Sequence, residues 1–182
     1  MKQVRKSLVQ NAPRREIFVS EAEPAVHFCY SCRRTGVCRL GVSEEKLIAP
    51  GISLTKLVCP AEYEGGPGVA HGGWTTEAMD ECLGHLNLLC HQMAVTGGLT
   101  VEFLRQVPIL RPLELRAWTE KVENGRRWNR GELYLASTGA LLARAHGVFV
   151  ERTPAHFERF ERWMADEDAK DVPERSSGED KK

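Results

Sequence analysis

Gly65-Gly66-Pro67-Gly68-Val69-Ala70-His71-Gly72-Gly73-Trp74-Thr75-Thr76-Glu77-Ala78-Met79-Asp80 is the stretch on which the reading turns. A Gly- and Pro-rich turn delivers a histidine and two glycines, and a helical apolar pattern starts at once. Glycines at such a boundary let a backbone approach a ligand closely. The free N–H groups of a new helix suit an anion or a developing oxyanion. Asp80 is a carboxylate inside a mostly apolar helix, and burying an unpaired charge is expensive. Together these features suggest a hydrolytic or lyase site.

Downstream, the spacing predicts one long helix from about Gly72 to Met93. Met79, Cys82, Leu86, Leu89 and Met93 form an apolar stripe, widened by Ala78, Leu83 and Cys90. Gly97-Gly98 is expected to stop it. Thr76, Asp80, Gly84, Asn87 and His91 follow at helical spacing on another face, small or polar enough to line a pocket. Strands are expected next. Leu99, Val101 and Phe103 alternate with Thr100 and Glu102, and 112–122 alternates again. Asn124-Gly125 is a strong hairpin turn. Strands from Arg126 to Ala136 and Ala140 to Val150 follow, with Gly131 and Gly147 as candidate bulges. Upstream, Ile52, Leu54, Leu57 and Val58 make a short strand. One long helix followed by an antiparallel meander does not fit a doubly wound sheet. It fits an α+β fold in which a curved antiparallel sheet wraps a long central helix.

The chain has 182 residues, which suits one domain with modest tails. Its 25 Lys and Arg balance 25 Asp and Glu, so no global field attracts nucleic acid or an acidic membrane. No leader or membrane span is visible, and a cytoplasmic location is expected. The expected organisation is a flexible arm at 1–20, a Cys- and Arg-rich segment at 21–50, the central domain at 51–152, a short amphipathic helix at 153–165 and a disordered acidic tail at 166–182. Phe157, Phe160 and Trp163 or Met164 give that helix its stripe, expected to lie on the domain surface.

The layout, with G-G-P-G-V-A-H-G-G-W-T-T-E-A-M-D, resembles the hotdog-fold acyl-CoA thioesterases. It looks closest to the PaaI-like branch that includes the thioesterase superfamily member 4 type, whose motif usually reads E-G-P-P-G-x-x-H-G-G. The resemblance covers roughly residues 45–152. It implies hydrolysis of an acyl-CoA without metal or organic cofactor, in a homodimer or dimer of dimers with shared sites. It also implies that the Gly72 N–H serves an oxyanion hole, that Gly73 and His71 shape the turn, and that Asp80 is the general base or nucleophile. Thr100 is the expected serine or threonine that positions water or carboxylate. Its β-branched side chain would equally suit a strand. His71 either holds the turn by a ring hydrogen bond or contacts substrate. Some relatives place an asparagine six residues before the histidine, where this chain has Gly65.

Gly72 and Asp80 are eight residues apart, about 12 Å along a helix. One carbonyl does not easily touch both, so a site shared between two chains is expected.

His27-Phe28-Cys29-Tyr30-Ser31-Cys32 and Cys38 make a cysteine-rich segment. His27, Cys29, Cys32 and Cys38 could ligate zinc, but the usual second pair is missing. A reduced cluster packed on the sheet is the expectation, and a redox pair is the other alternative. Arg33 and Arg34, or Arg126 and Arg127, could contact coenzyme A phosphates.

Overall fold

The structure, a computed structural model, describes residues 29–170. In chain order the elements are α1 (Tyr30–Thr35), β1 (Val42–Ala49), β2 (Ile52–Val58), β3 (Glu64–Gly66), β4 (Val69–Ala70), α2 (Gly72–Leu89), β5 (Ala94–Phe103), β6 (Pro112–Glu123), β7 (Arg126–Leu135), β8 (Ala140–Glu151) and α3 (Ala155–Lys170). Six strands form one antiparallel sheet in the order β1-β2-β6-β7-β8-β5. The short β3–β4 hairpin stands apart from it.

The sheet has a helix-facing side and an outer side, as its alternation requires. Ser53, Thr55 and Leu57 of β2, Leu113, Leu115 and Ala117 of β6, and Ala145 and Phe149 of β8 are buried on the inner face. Trp74, Ala78, Met79, Cys82, Leu83 and Leu86 of α2 are buried against them. Fully burying a leucine or methionine contributes about 1.5–3 kcal/mol, so this one helix supplies much of the core. Gly131 and Gly147 sit in unbroken register opposite Ala117 and Leu99, so they are not bulges. They allow close packing instead. A Cβ at Gly147 would lie 2.9 Å from the Phe149 ring. One at Gly131 would collide with the Leu83 side chain.

Asn124 and Gly125 both have positive φ (50° and 68°), and their hairpin pairs Glu123 with Arg126. This is the mirror-image turn that matches strand twist.

Several boundaries differ from the expectation. The helix ends at Leu89, because His91 adopts φ 57° and the Gln92 N–H turns back to the Asn87 carbonyl. Gly97 and Gly98 therefore lie inside β5, at a register shift between Thr96 and Gly98. The sheet begins at Val42, not at residue 51. β1 carries Glu45 on its buried side, so its alternation does not read as apolar. Helix α3 continues through residues 166–170, expected in the tail, because Ala165, Glu167, Ala169 and Lys170 sustain a helix after the apolar residues stop. Among the described residues nothing covers its stripe: Phe157, Phe160 and Trp163 are all exposed. The arm at 1–20 and residues 171–182 lie outside the described residues. Among the described residues, no helix is long and apolar enough to cross a membrane.

Candidate active site

The loop before α2 is held from several sides. Gly68 takes φ 73°, and its N–H donates to Glu64 Oε1 at 2.6 Å. The Ala70 N–H donates to the Val107 carbonyl, and the His71 N–H to the Tyr63 carbonyl. A Cβ at Gly65 would lie 2.7 Å from His71 Cα, so the chain needs glycine there. That contact explains why the position where some relatives carry asparagine is bare.

His71 is the N-cap of α2. Its Nδ1 accepts the Gly73 N–H at 2.9 Å, satisfying one of the donors a helix start leaves open. A Cβ on Gly73 would sit 2.8 Å from that nitrogen. His71 and Gly73 thus form one capping device, and the ring is committed to the turn. Among the described residues nothing accepts the Gly72 N–H, which lies exposed at the positive end of an 18-residue helix. An open cleft of about 470 Å³ borders this turn, lined by Tyr63, His71, Gly73, Trp74 and Glu77. It does not reach Asp80.

Two turns along α2, Asp80 is half-buried and accepts a hydrogen bond from Thr96 Oγ1 at 2.8 Å. The shift at Gly97 puts Thr96 and Leu99 on the same, helix-facing side of β5. Thr100 is exposed opposite His146, on the outer face. The carboxylate's threonine partner is therefore Thr96. The sequence contained the signal: Thr96 stands just before a Gly-Gly pair able to bulge a strand.

On the same helix, Gly84 is half-exposed, and a Cβ there would meet only the Phe149 ring, at an ordinary 3.5 Å. A mid-helix glycine destabilises by roughly 0.5–1 kcal/mol relative to alanine. Asn87 is wholly buried; its Oδ1 accepts from Asn129 Nδ2 at 2.9 Å and from Arg127 Nε at 3.1 Å. Arg127 also faces Glu151 at 3.8 Å. This guanidinium is occupied inside the fold; Arg126 at the β6–β7 turn and Arg33 and Arg34 on α1 are exposed.

A buried ionic cluster, absent from the sequence reading, lies on the other flank of α2. His85 Nδ1 meets Glu45 Oε2 at 2.7 Å, and its Nε2 meets Glu81 Oε1 at 3.3 Å. Thr55 donates to the other Glu45 oxygen at 2.9 Å. Burial opposes charge on His85, yet the two carboxylates outweigh it and raise the ring to about 10. The hydrogen bond from His85 holds Glu81 below the usual range. Glu81 is thereby turned to a structural role beside Asp80.

The cysteine segment docks on the same flank. Arg39 Nη2 pairs with Glu77 at 2.5 Å, and the Arg39 N–H points at Cys32 Sγ at 3.4 Å. His27 lies outside the described residues. Among those described, no three His, Cys, Asp or Glu side chains are grouped to hold a metal.

Residues 67–126 match the family model of the thioesterase superfamily. That span runs from the capping loop through α2, β5 and β6. No curated protein matches the chain. Solved structures support the hotdog fold. A thioesterase superfamily protein has 24% identity and TM-score 0.56, over 61% of this chain and 56% of its own. This chain thus spans little more than half of that relative's length. A hypothetical thioesterase from Streptococcus pneumoniae, solved with coenzyme A, has 14% identity and TM-score 0.56, over 60% of this chain and 84% of its own. The E. coli PaaI protein has 17% identity and TM-score 0.59, over 69% and 92%.

Proposed function

We propose that this hotdog domain hydrolyses an acyl-CoA thioester in a homodimer whose sites are shared between chains, within the PaaI-like branch. The observation that carries the reading is Asp80 held by Thr96 on the helix that opens with the free Gly72 amide. Two solved variants of the S. pneumoniae protein replace an aspartate and, separately, a threonine sixteen positions later with alanine. Asp80 and Thr96 have the same separation. That protein was solved with coenzyme A, and one from Streptococcus mutans bound to acetyl-CoA.

The chemistry is a hydrolysis. The thioester oxygen sits at the Gly72 N–H, which stabilises the negative charge that develops there. Asp80 takes a proton from water as its oxygen bonds to the carbonyl carbon. Collapse of the adduct breaks the C–S bond, and the departing thiolate takes up the proton. The products are a free acid and coenzyme A. Thr96 keeps one carboxylate oxygen oriented and leaves the other for water.

The position of β5 supports the dimer reading. Among the described residues this ten-residue strand is a sheet edge, paired only with β8. Its Thr96 end touches Asp80, while its Phe103 ring lies 3.6 Å from where a Gly72 Cβ would be. The two ends are about 24 Å apart along an extended strand. Antiparallel pairing of two such edges brings the Thr96 end of one chain toward the Phe103 end of the other. The partner's copy of the Gly72 amide then approaches Asp80, as a two-fold interface allows.

Thiol release from an acyl-CoA panel tests the activity. Binding without turnover would make the chain an acyl-CoA-binding module, and hydration of an enoyl-CoA would make it a lyase. Mixed dimers test the shared site. Gly72→Val and Asp80→Asn homodimers are expected to be nearly inactive, whereas subunit exchange between them restores one intact site per dimer. No recovery after verified exchange would mean that both groups act within one chain or that at least one of them is misassigned.

A further inference from the structure

Six glycines of this domain, Gly41 and Gly73 among them, have a steric reason within the chain. An added Cβ would lie 2.7 Å from His71 Cα at Gly65, 2.9 Å from Val150 Cγ2 at Gly97 and 2.9 Å from Phe149 Cε2 at Gly147, and it would strike Leu83 at Gly131. Gly84 has none. It lies within α2, its φ is not left-handed, and a Cβ would make only an ordinary contact. A helix interior disfavours glycine, so a glycine at this half-exposed position calls for a reason outside the packing of the chain. The position is informative. Gly84 is one helical turn beyond Asp80, about 6 Å along the axis and on the same face. Half-buried Leu88 follows one turn later. The face thus presents a carboxylate, a gap and then an apolar side chain.

We propose that Gly84 is a specificity-determining residue: the acyl chain of the substrate passes over it toward Leu88, and its missing side chain admits chains longer than acetyl. This rests on the acyl-CoA hydrolase reading above. The polar neighbours fit the path. Asn87 is turned inward to Asn129 and Arg127, leaving Leu88 as the apolar wall of that turn. A Cβ at 84 would meet the Phe149 ring alone, at 3.5 Å.

The experiment compares octanoyl-CoA with acetyl-CoA by thiol release for the full-length chain, Gly84→Ala and Gly84→Leu. Size-exclusion chromatography with light scattering and a melting curve accompany each. The expected result is that Gly84→Leu lowers the octanoyl-to-acetyl ratio of kcat/KM by about tenfold or more, the scale on which hydrophobic pockets discriminate methylenes. Gly84→Ala lowers it less. A ratio within about twofold of the parent in a folded Gly84→Leu dimer would overturn the proposal and leave the hydrolase reading standing. Should Gly84→Leu fail to fold or to dimerise, Gly84→Ala decides, because its Cβ is accommodated; an unchanged ratio there means that something other than the acyl chain covers Gly84. No thiol release from any ester of the acyl-CoA panel by the parent chain would sink the hydrolase reading, and this one with it; release confined to esters without an alkyl chain would overturn this proposal alone.

Discussion

Replacing Asp80 by asparagine is expected to lower acyl-CoA turnover by about two orders of magnitude or more, with fold and dimer retained. The range is that of an essential acid–base group. The substitution suits the site because an amide keeps the shape of the carboxylate and can still accept the Thr96 hydroxyl hydrogen bond, 2.8 Å long in the parent. It removes only the basic oxygen. A folded Asp80→Asn protein with near-parental turnover would refute the assignment. Thr96→Val gives the companion result. A hydrogen bond to a charged group is worth about 1.5–3 kcal/mol, so turnover should fall by roughly ten- to a hundredfold. Thr96→Ser should retain most of it. Thr100→Val is the control, since Thr100 faces the outer side of the sheet; a larger loss there than at Thr96 would reverse the choice of partner.

The second large effect is on stability. His85→Leu leaves Glu45, only 5% exposed, without its cationic partner. Breaking a buried pair in this way costs about 3–5 kcal/mol, enough to unfold a marginal domain. Replacing Glu45 by leucine as well should recover part of the loss, because no stranded charge remains. The pH dependence has a definite sign. His85 rises from an ordinary 6.5 to about 10 on folding, so its stabilisation is complete below pH 6.5 and is lost as pH climbs toward 10. Glu81, lowered in the fold, acts oppositely: its contribution holds above its ordinary 4.5 and fades below. Denaturant titrations from pH 6.5 to 10 should show the parent losing stability with a slope that the His85→Leu, Glu45→Leu double variant lacks. Equal slopes would assign the alkaline loss to other groups.

Most of the scaffold is legible in the sequence because periodicity and turn chemistry agree with it. The stripe from Ala78 to Leu86 is the buried stripe, and Asn124-Gly125 makes the hairpin. The unread parts have local physical reasons. Gly97-Gly98 looks like a helix stop, yet His91 had already ended the helix by taking a left-handed conformation that its residue type does not announce. The bulge then changes the parity of β5, and parity decides which threonine meets Asp80. β1 reads as polar because Glu45 is buried only by virtue of His85, forty positions away. Alternation within one segment carries no record of that partner.

Gly65 bears on how this loop can diverge. Its contact with His71 Cα means that an asparagine, the residue some relatives use to hold substrate or water, cannot arrive by a single exchange while the loop keeps its course. The obstacle is main chain, so no rotamer relieves it. The asparagine-bearing and asparagine-free forms of the site are therefore separated by a movement of the loop, and in a mutational walk toward the former, changes that reroute 64–71 have to come first.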